Sequence, residues 1–425
     1  MSLRLIITLL LLALLSAPGR AAEVTDYGYP FVDPLEATVI GTPGPFSAEL
    51  ADDIPIEIRE VAPFPHRATP DIFWYTRTLR YAFSPQPGAA PLAFIIPGTG
   101  AGYNSGKSVI LQRTLYAAGM HVVSLPSPIH PNFIVAASAS HRPGLLVEDA
   151  EDLLRVMAMI RRQLGDDVEI TGYHLAGYSL GATNAAFVAR LDAEVQEFDF
   201  ARVLLINPPV DLASSAKVLD TLFAQHIRTL EDFNYLFNQL MGLFSQFYQP
   251  TEPVVFSDDL VYDIYRRQPP PDSTLEALIG TAFRLTSINL LFTTDVMADL
   301  GVLVAQDHEL ALTDSLTPYF KAASLLDFEY YARQVLWPYY RKRTEDVSFE
   351  ELARRNSLRA IAGYLRQADH IGLIHNADDI LLSAEELEFL KDVFGARAQI
   401  YPTGGHSGNM LFRDNVAYTI DYFSG

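Results

Sequence analysis

Gly177-Tyr178-Ser179-Leu180-Gly181 follows an apolar, strand-like run from Val168 to Leu175 and precedes a small-residue helical run from Ala182 to Leu191. A serine at so tight a turn from strand into helix is forced into a strained backbone conformation, its hydroxyl exposed at the top of a sheet. The residues two before and two after it must be small, because the strand and helix backbones pass close there. The helix N-terminus behind the serine offers backbone N–H groups and a partial positive charge to a developing oxyanion. The five-residue pattern is short and common, and alone it also describes an ordinary glycine-flanked bend. The strand before it and the helix after it make Ser179 a candidate nucleophile.

Working outward, Pro91 to Ile96 is a short continuous apolar run, as expected of a strand buried on both faces. It enters Pro97-Gly98-Thr99-Gly100-Ala101-Gly102, and helical spacing follows from Lys107 to Ala118 with Gly119 as its stop. His121 to Leu125 reads as the next strand. Leu145, Leu146, Leu153, Val156, Met157 and Ile160 mark one face of a helix. Beyond the serine, Arg202 to Asn207 is another buried-strand run, closed by Pro208-Pro209. This alternation predicts an α/β fold with a mostly parallel central sheet flanked by helices.

Other stretches break the rhythm. In the proline- and aromatic-rich residues 23–90, Ile56 to Val61 and Ile72 to Phe83 read as strands of an edge meander. From Asp211 to about Gln367 the pattern is mostly helical and rich in aromatics, Phe233, Phe237, Phe244, Phe247 and Tyr248 among them. It reads as a large helical cap inserted over the sheet, its aromatics forming the cap's own core. The sheet pattern resumes at His370 to Ile374 and at Ala398 to Tyr401. The expected division is a leader over 1–22, an N-terminal core part over 23–210, the cap over 211–367 and a C-terminal core part over 368–425.

The leader reading rests on Arg4, an apolar core from Leu5 to Leu15, the helix-breaking Pro18-Gly19 and a cleavage point at Ala21 or Ala22. Its apolar run is too short to span a bilayer comfortably, so no stable membrane span is expected after removal. The expected location is periplasmic or secreted, and the absence of cysteine permits an oxidising compartment without demonstrating one. Losing Arg4 and Arg20 and no acid takes the net charge from −20 to −22, which argues against nucleic acid as a partner.

Two further stretches carry side chains that a nucleophilic serine needs. In Ile371 to Ile380, an acid after the strand can hold a histidine in its working tautomer. In Tyr401-Pro402-Thr403-Gly404-Gly405-His406-Ser407-Gly408-Asn409, a histidine in a glycine-rich loop can swing over the serine. The order serine, acid, histidine is that of one known arrangement, and all three stand at C-terminal ends of expected strands, where open α/β sheets place their sites. With the loop after Ile96, the GYSLG elbow, the HNADD turn and the GGHSG loop, the sequence resembles the α/β-hydrolase superfamily over roughly residues 90–210 and 367–425. The resemblance implies a serine hydrolase of the esterase or lipase type, acting on a small-molecule ester or lipid. It implies Ser179 as nucleophile, His406 as general base and Asp378 as the acid orienting it. It also implies the backbone N–H groups of Thr99 and Leu180 as oxyanion hole. Pro97-Gly98 replaces the histidine-glycine often found before the first donor, so that donor role can slide to Gly100.

Alternatives stand beside these assignments. Asp379 can replace Asp378, and Asp211 after the next strand is another position for the acid. His370 and His375 lie in or beside a buried strand and read as structural. No cofactor or metal is expected, since no His/Asp/Glu group has metal-ligand spacing, the pair Asp378-Asp379 included. Residues 101–108, Ala101 to Ser108, fit a relaxed P-loop, in which Lys107 would reach a phosphate and Ser108 a magnesium ion. A catalytically silent binding protein with this fold is the other alternative.

Overall fold

The computed structural model describes residues 21–425 except 25–26, 230, 233, 236–261, 263–264, 268 and 345. The leader expected over 1–22 lies outside the described residues up to position 20, as do the cap aromatics Phe233, Phe237, Phe244, Phe247 and Tyr248. The strands are β1 (Ala22–Glu23), β2 (Glu57–Val61), β3 (Leu79–Ser84), β4 (Ala90–Ile96), β5 (His121–Ser124), β6 (Ile170–Tyr178), β7 (Arg202–Ile206), β8 (Ile371–Asn376) and β9 (Ala398–Tyr401). They form one sheet in the order β1-β9-β8-β7-β6-β4-β5-β3-β2. Only β3, paired with β2 and with β5, makes antiparallel contacts; the other neighbours run parallel. This is the α/β-hydrolase fold: a mostly parallel sheet, an antiparallel pair at one edge, and a serine-bearing turn at the end of a central strand.

The central strands are largely apolar because both faces are covered. In β4, Leu92, Phe94 and Ile96 face one core while Ala93 and Ile95 face the other, the period of two that a strand imposes. Helices Leu146–Leu164, Leu180–Val195 and Ala384–Phe394 contribute to the first core. Helices Gly106–Ala117 and Arg413–Ser424 contribute to the second.

Between β7 and β8 the chain builds the cap. Helix Leu212–His226 packs on the long helix Asp272–Ala298 so closely that a Cβ at Gly280 would collide with the backbone of Phe223. A largely buried ion pair, Arg284 to Asp220 at 2.9 Å, ties these helices together. Phe292 sits edge-on to Phe320 at 5.0 Å between ring centres and also meets Phe73 of the core, while the buried Tyr331 donates to the Pro143 carbonyl. Asp272–Ala298 is the one helix among the described residues long and apolar enough to cross a membrane, but half of its most apolar window is buried inside the protein.

One expectation needs correction. The strand expected from Ile72 to Phe83 is split: Asp71–Thr76 forms a 3-10 helix and only Leu79–Ser84 joins the sheet. The Thr76 hydroxyl donates to the Phe73 carbonyl and closes that helix locally, while Phe73 packs inward on the cap. The first strand among the described residues, β1, pairs with β9 at the edge opposite the β2–β3 pair.

The elbow depends on two missing side chains. A Cβ at Gly181 would strike the carbonyl oxygens of Ile96 and Pro97, and one at Gly177 would strike the carbonyl of Gly181. By contrast Gly172, in the same strand as Gly177, has open space around it. Gly181→Ala is therefore expected to destabilise the fold by about 1–3 kcal/mol or more through overpacking. Gly172→Ala should leave the thermal unfolding midpoint within about 0.5 kcal/mol of the parent, the range of ordinary surface changes. Thermal melts of the two variants beside the parent check this.

Candidate active site

Ser179 stands between β6 and helix Leu180–Val195 with φ 55° and ψ −131°, in the left-handed half of backbone space that a serine rarely enters. Its own N–H donates to the Ile206 carbonyl of β7, at 2.9 Å, which pins the turn to the sheet. The side chain does not cap the helix. Its hydroxyl lies 2.8 Å from His406 Nε2, and His406 Nδ1 lies 3.0 and 3.1 Å from the two carboxylate oxygens of Asp379.

The acid beside His406 is thus Asp379, and the assignment of Asp378 to that role is corrected. The two neighbours point to opposite sides of the turn after β8. Asp379 folds back to accept the Leu381 N–H at 3.0 Å, an Asx-type turn, and receives the Asn207 side-chain amide at 3.0 Å. Asp378 faces the histidine loop, where its oxygens accept the N–H groups of Gly404 at 3.1 Å and Gly405 at 3.0 Å. It holds the loop that carries the histidine without reaching the ring. Spacing alone does not separate adjacent carboxylates whose side chains diverge.

Their ionisation diverges as well. Burial pushes the Asp378 carboxyl up to about 6, against the pull of the two amides. Asp379 is fully enclosed, and burial alone would raise it. The charge and hydrogen bond of His406, together with His375 and the Leu381 amide, instead hold it below the usual carboxylate range.

The loop Gly404–Gly408 is gripped along its length. A Cβ at Gly405 would collide with the Pro34 carbonyl and one at Gly408 with the Ala37 carbonyl, both in helix Pro34–Ile40. The His406 N–H donates to the Thr38 hydroxyl at 2.8 Å, and its carbonyl accepts the Lys107 ammonium at 3.1 Å. Asn376 donates to the Gly405 carbonyl at 2.8 Å. Enclosure lowers the Lys107 ammonium to about 8, although part of the side chain still touches the cavity. The two side chains a phosphate cradle would need are therefore engaged elsewhere: Lys107 on His406, and Ser108 on the Gly102 carbonyl at 3.1 Å.

Thr99 and Leu180 line the same cavity as Ser179 and His406. Among the described residues, neither backbone N–H donates to a protein acceptor. Gly98 brings the first of them close, since a Cβ there would sit 3.1 Å from that of Ser179. Gly100 has φ 66°, and a Cβ on it would overlap Thr286 of the long cap helix. The cavity measures about 540 Å³ and is walled by Ile129, Leu180, Leu212, Leu219, Phe283 and Phe328. Two cap aromatics, Phe283 and Phe328, thus face the site.

The remaining candidates do not contact Ser179 or His406 through their side chains. Asp211 caps helix Leu212–His226, accepting the N–H groups of Ala213 and Ser214. His375 is fully buried beside Asp379, and burial lowers its pKa. His370 precedes β8, where its carbonyl accepts Tyr422 and the Val203 N–H.

No protein-family model matches the sequence, and no curated protein matches it. Solved structures similar to the chain include an esterase of Pyrococcus furiosus, 10% identical at a TM-score of 0.42, with 96% of this chain and 97% of that one covered. A hyperthermophilic esterase of the archaeon Pyrobaculum calidifontis is 16% identical at a TM-score of 0.40, with 87% and 86% covered. A bacterial membrane phospholipase A, described as a virulence factor, is 16% identical at 0.42 with the same coverages. At such scores the fold assignment rests on this chain's own strand order and elbow geometry.

The two aspartates are separable by experiment. Asp379→Asn should slow fluorophosphonate labelling of Ser179 on the order of 10⁴-fold, the effect of leaving a histidine in the wrong tautomer. Asp378→Asn should slow it only on the order of tenfold, as for a group acting through its neighbour. The raised Asp378 carboxyl also makes a stability prediction. A folded-state pKa above the unfolded value contributes stability that is present below about pH 4 and lost as pH rises through about 6. Thermal melts should show the parent losing stability relative to Asp378→Asn as pH is raised from 4 to 7.

Proposed function

We propose that the chain is an exported serine hydrolase that cleaves carboxylic esters through an acyl-enzyme on Ser179. The observation that carries this reading is the relay from Ser179 to His406 to Asp379, at 2.8 and 3.0 Å, opening into an apolar cavity beside two unengaged backbone amides. In acylation, the Ser179 oxygen attacks the ester carbonyl as His406 Nε2 takes its proton. The carbonyl oxygen becomes an oxyanion directed at the N–H groups of Thr99 and Leu180; one such donor typically contributes about 10²–10³ in turnover. The proton then passes from His406 to the leaving alcohol. Water repeats the sequence to release the acid, and Asp379 keeps the imidazole in the tautomer that serves both halves.

The cavity walls favour an apolar acyl group, since Phe283, Phe328, Leu212 and Leu219 offer carbon surface and no charge. Export is proposed from the basic, apolar and small-residue succession of the first 22 residues. The large negative charge supports a soluble protein handling neutral substrates.

Purified protein should hydrolyse p-nitrophenyl esters and take up a fluorophosphonate probe, and Ser179→Ala should abolish both. The same fold acting as a silent binding protein predicts no turnover at any acyl length. Labelling that persists in Ser179→Ala would overturn the assignment. Across an acyl series, kcat/KM should rise from acetate toward longer chains, because each buried methylene contributes about 0.8 kcal/mol.

A further inference from the structure

We infer that Asn207 is a positioning residue of this site, its side-chain amide holding the Asp379 carboxylate in the orientation that aims His406 at Ser179. The inference rests on the serine-hydrolase reading above. Asn207 is the residue just past β7, wholly buried, with its N–H on the Ile374 carbonyl at 2.8 Å. Its φ of 47° lies in the left-handed region, which glycine, asparagine and aspartate enter most readily. Backbone geometry thus narrows the choice at this position to a few residue types, and the side-chain contacts distinguish among them.

Asn207 Nδ2 is 3.0 Å from Asp379 Oδ2 and 3.4 Å from His375 Nδ1. The carboxylate oxygen, the nearer of the two, accepts from the amide. His375 Nε2 faces the Pro208 carbonyl at 3.3 Å, while Nδ1 lies 2.9 Å from the Asn376 nitrogen and 3.1 Å from the Asn376 carbonyl oxygen. Burial lowers the His375 pKa. The other half of the amide, Oδ1, has no partner among the described residues. A buried carbonyl without a partner is costly, about 1–3 kcal/mol. Turning the amide over would satisfy nothing, since it would press Oδ1 against a carboxylate. The side chain is held for its donor half alone.

That donor meets a specific need. Asp379 must stay ionised although fully enclosed, and it must present both oxygens to one ring nitrogen. Leu381 N–H fixes Oδ1 from the acid's own turn. Asn207 fixes Oδ2 from the neighbouring strand. Without it, Oδ2 would keep only His406, and the Leu381 N–H on the other oxygen alone would hold the carboxylate against rotation about its last bond. An aspartate at 207 would fit the backbone but set two carboxylates in contact, so that one of them would have to take up a proton.

Two substitutions test this by kcat and KM on p-nitrophenyl esters from pH 5 to 9, beside thermal melts. Asn207→Gly suits the backbone and deletes only the amide. Its kcat should fall on the order of 10²-fold with KM nearly unchanged, the usual consequence of a slightly misplaced catalytic group. Asn207→Asp should show a rate, relative to wild type, that falls as pH rises, because the new carboxyl can donate to Asp379 only while protonated. The titratable groups facing it are Asp379, His375 and His406. A folded Asn207→Gly that keeps kcat within about twofold, far short of the expected misplacement effect, overturns the inference. If that variant does not fold, a pH-independent ratio for Asn207→Asp overturns it. Ser179-dependent turnover in the wild type with unaffected variants sinks this inference alone. A wild type that neither labels nor hydrolyses sinks the hydrolytic reading and this inference with it.

Discussion

Backbone crowding at the elbow constrains everything else in this site. Gly177 and Gly181 leave no room for a Cβ, because the first turn of the helix lies against both the end of β6 and the carbonyls of Ile96 and Pro97. Such a crossing turns the chain through so small a radius that Ser179 must take a positive φ, a strain of about 1–3 kcal/mol held in place by the buried strands on either side. The same crossing explains why the loop after β4 is available at all. It begins at the point where Gly181 abuts β4, so Gly98 and Thr99 lie beside the serine without any further device. The proposed nucleophile and oxyanion donors are thus both placed by one close approach.

The histidine arm is built on a different principle. His406 comes from a loop, and loops are where chains move most. Here its N–H is held by Thr38, its carbonyl by Lys107, and the two glycine amides before it by Asp378. These partners come from an early helix, the helix after the oxyanion loop and the turn after β8. Three separated parts of the chain therefore fix one imidazole. Removing any one group leaves the others, which is why positioning groups are expected to have graded effects where the relay groups have abrupt ones.

Much of this was legible in the sequence, for reasons that also explain the gaps. Strands β4 to β9 announce themselves because both faces are buried, and a buried strand has little choice of residue. The elbow is legible because its glycines answer to the backbone alone. The 3-10 helix at Asp71–Thr76 was hidden because Ile72, Phe73, Trp74 and Tyr75 have the composition of a strand, and Phe73 is buried by the cap, which local pattern does not report. The spacing of Lys107 after the glycines leaves a phosphate-binding alternative open in the sequence; its partner is 299 residues away. Asn207 looked like the end of a strand, and nothing local signals that its amide meets an acid 172 residues on.

The choice between Asp378 and Asp379 carries the lesson furthest. The two residues are identical, adjacent and both largely enclosed, yet one is driven toward its neutral form and the other held ionised. What separates them is the company each side chain keeps. Asp378 meets two neutral amides and cannot offset its desolvation. Asp379 meets an imidazole that becomes cationic during the proposed reaction, a second imidazole and a directed amide. A carboxylate that must stabilise a transient positive charge has to be ionised beforehand, so only the second environment suits the relay. Chemistry is thereby confined to the sheet's loops, while Phe283 and Phe328 from the cap supply the cavity wall. On this reading, changes in the cap retune which ester enters and leave the proton relay as it is.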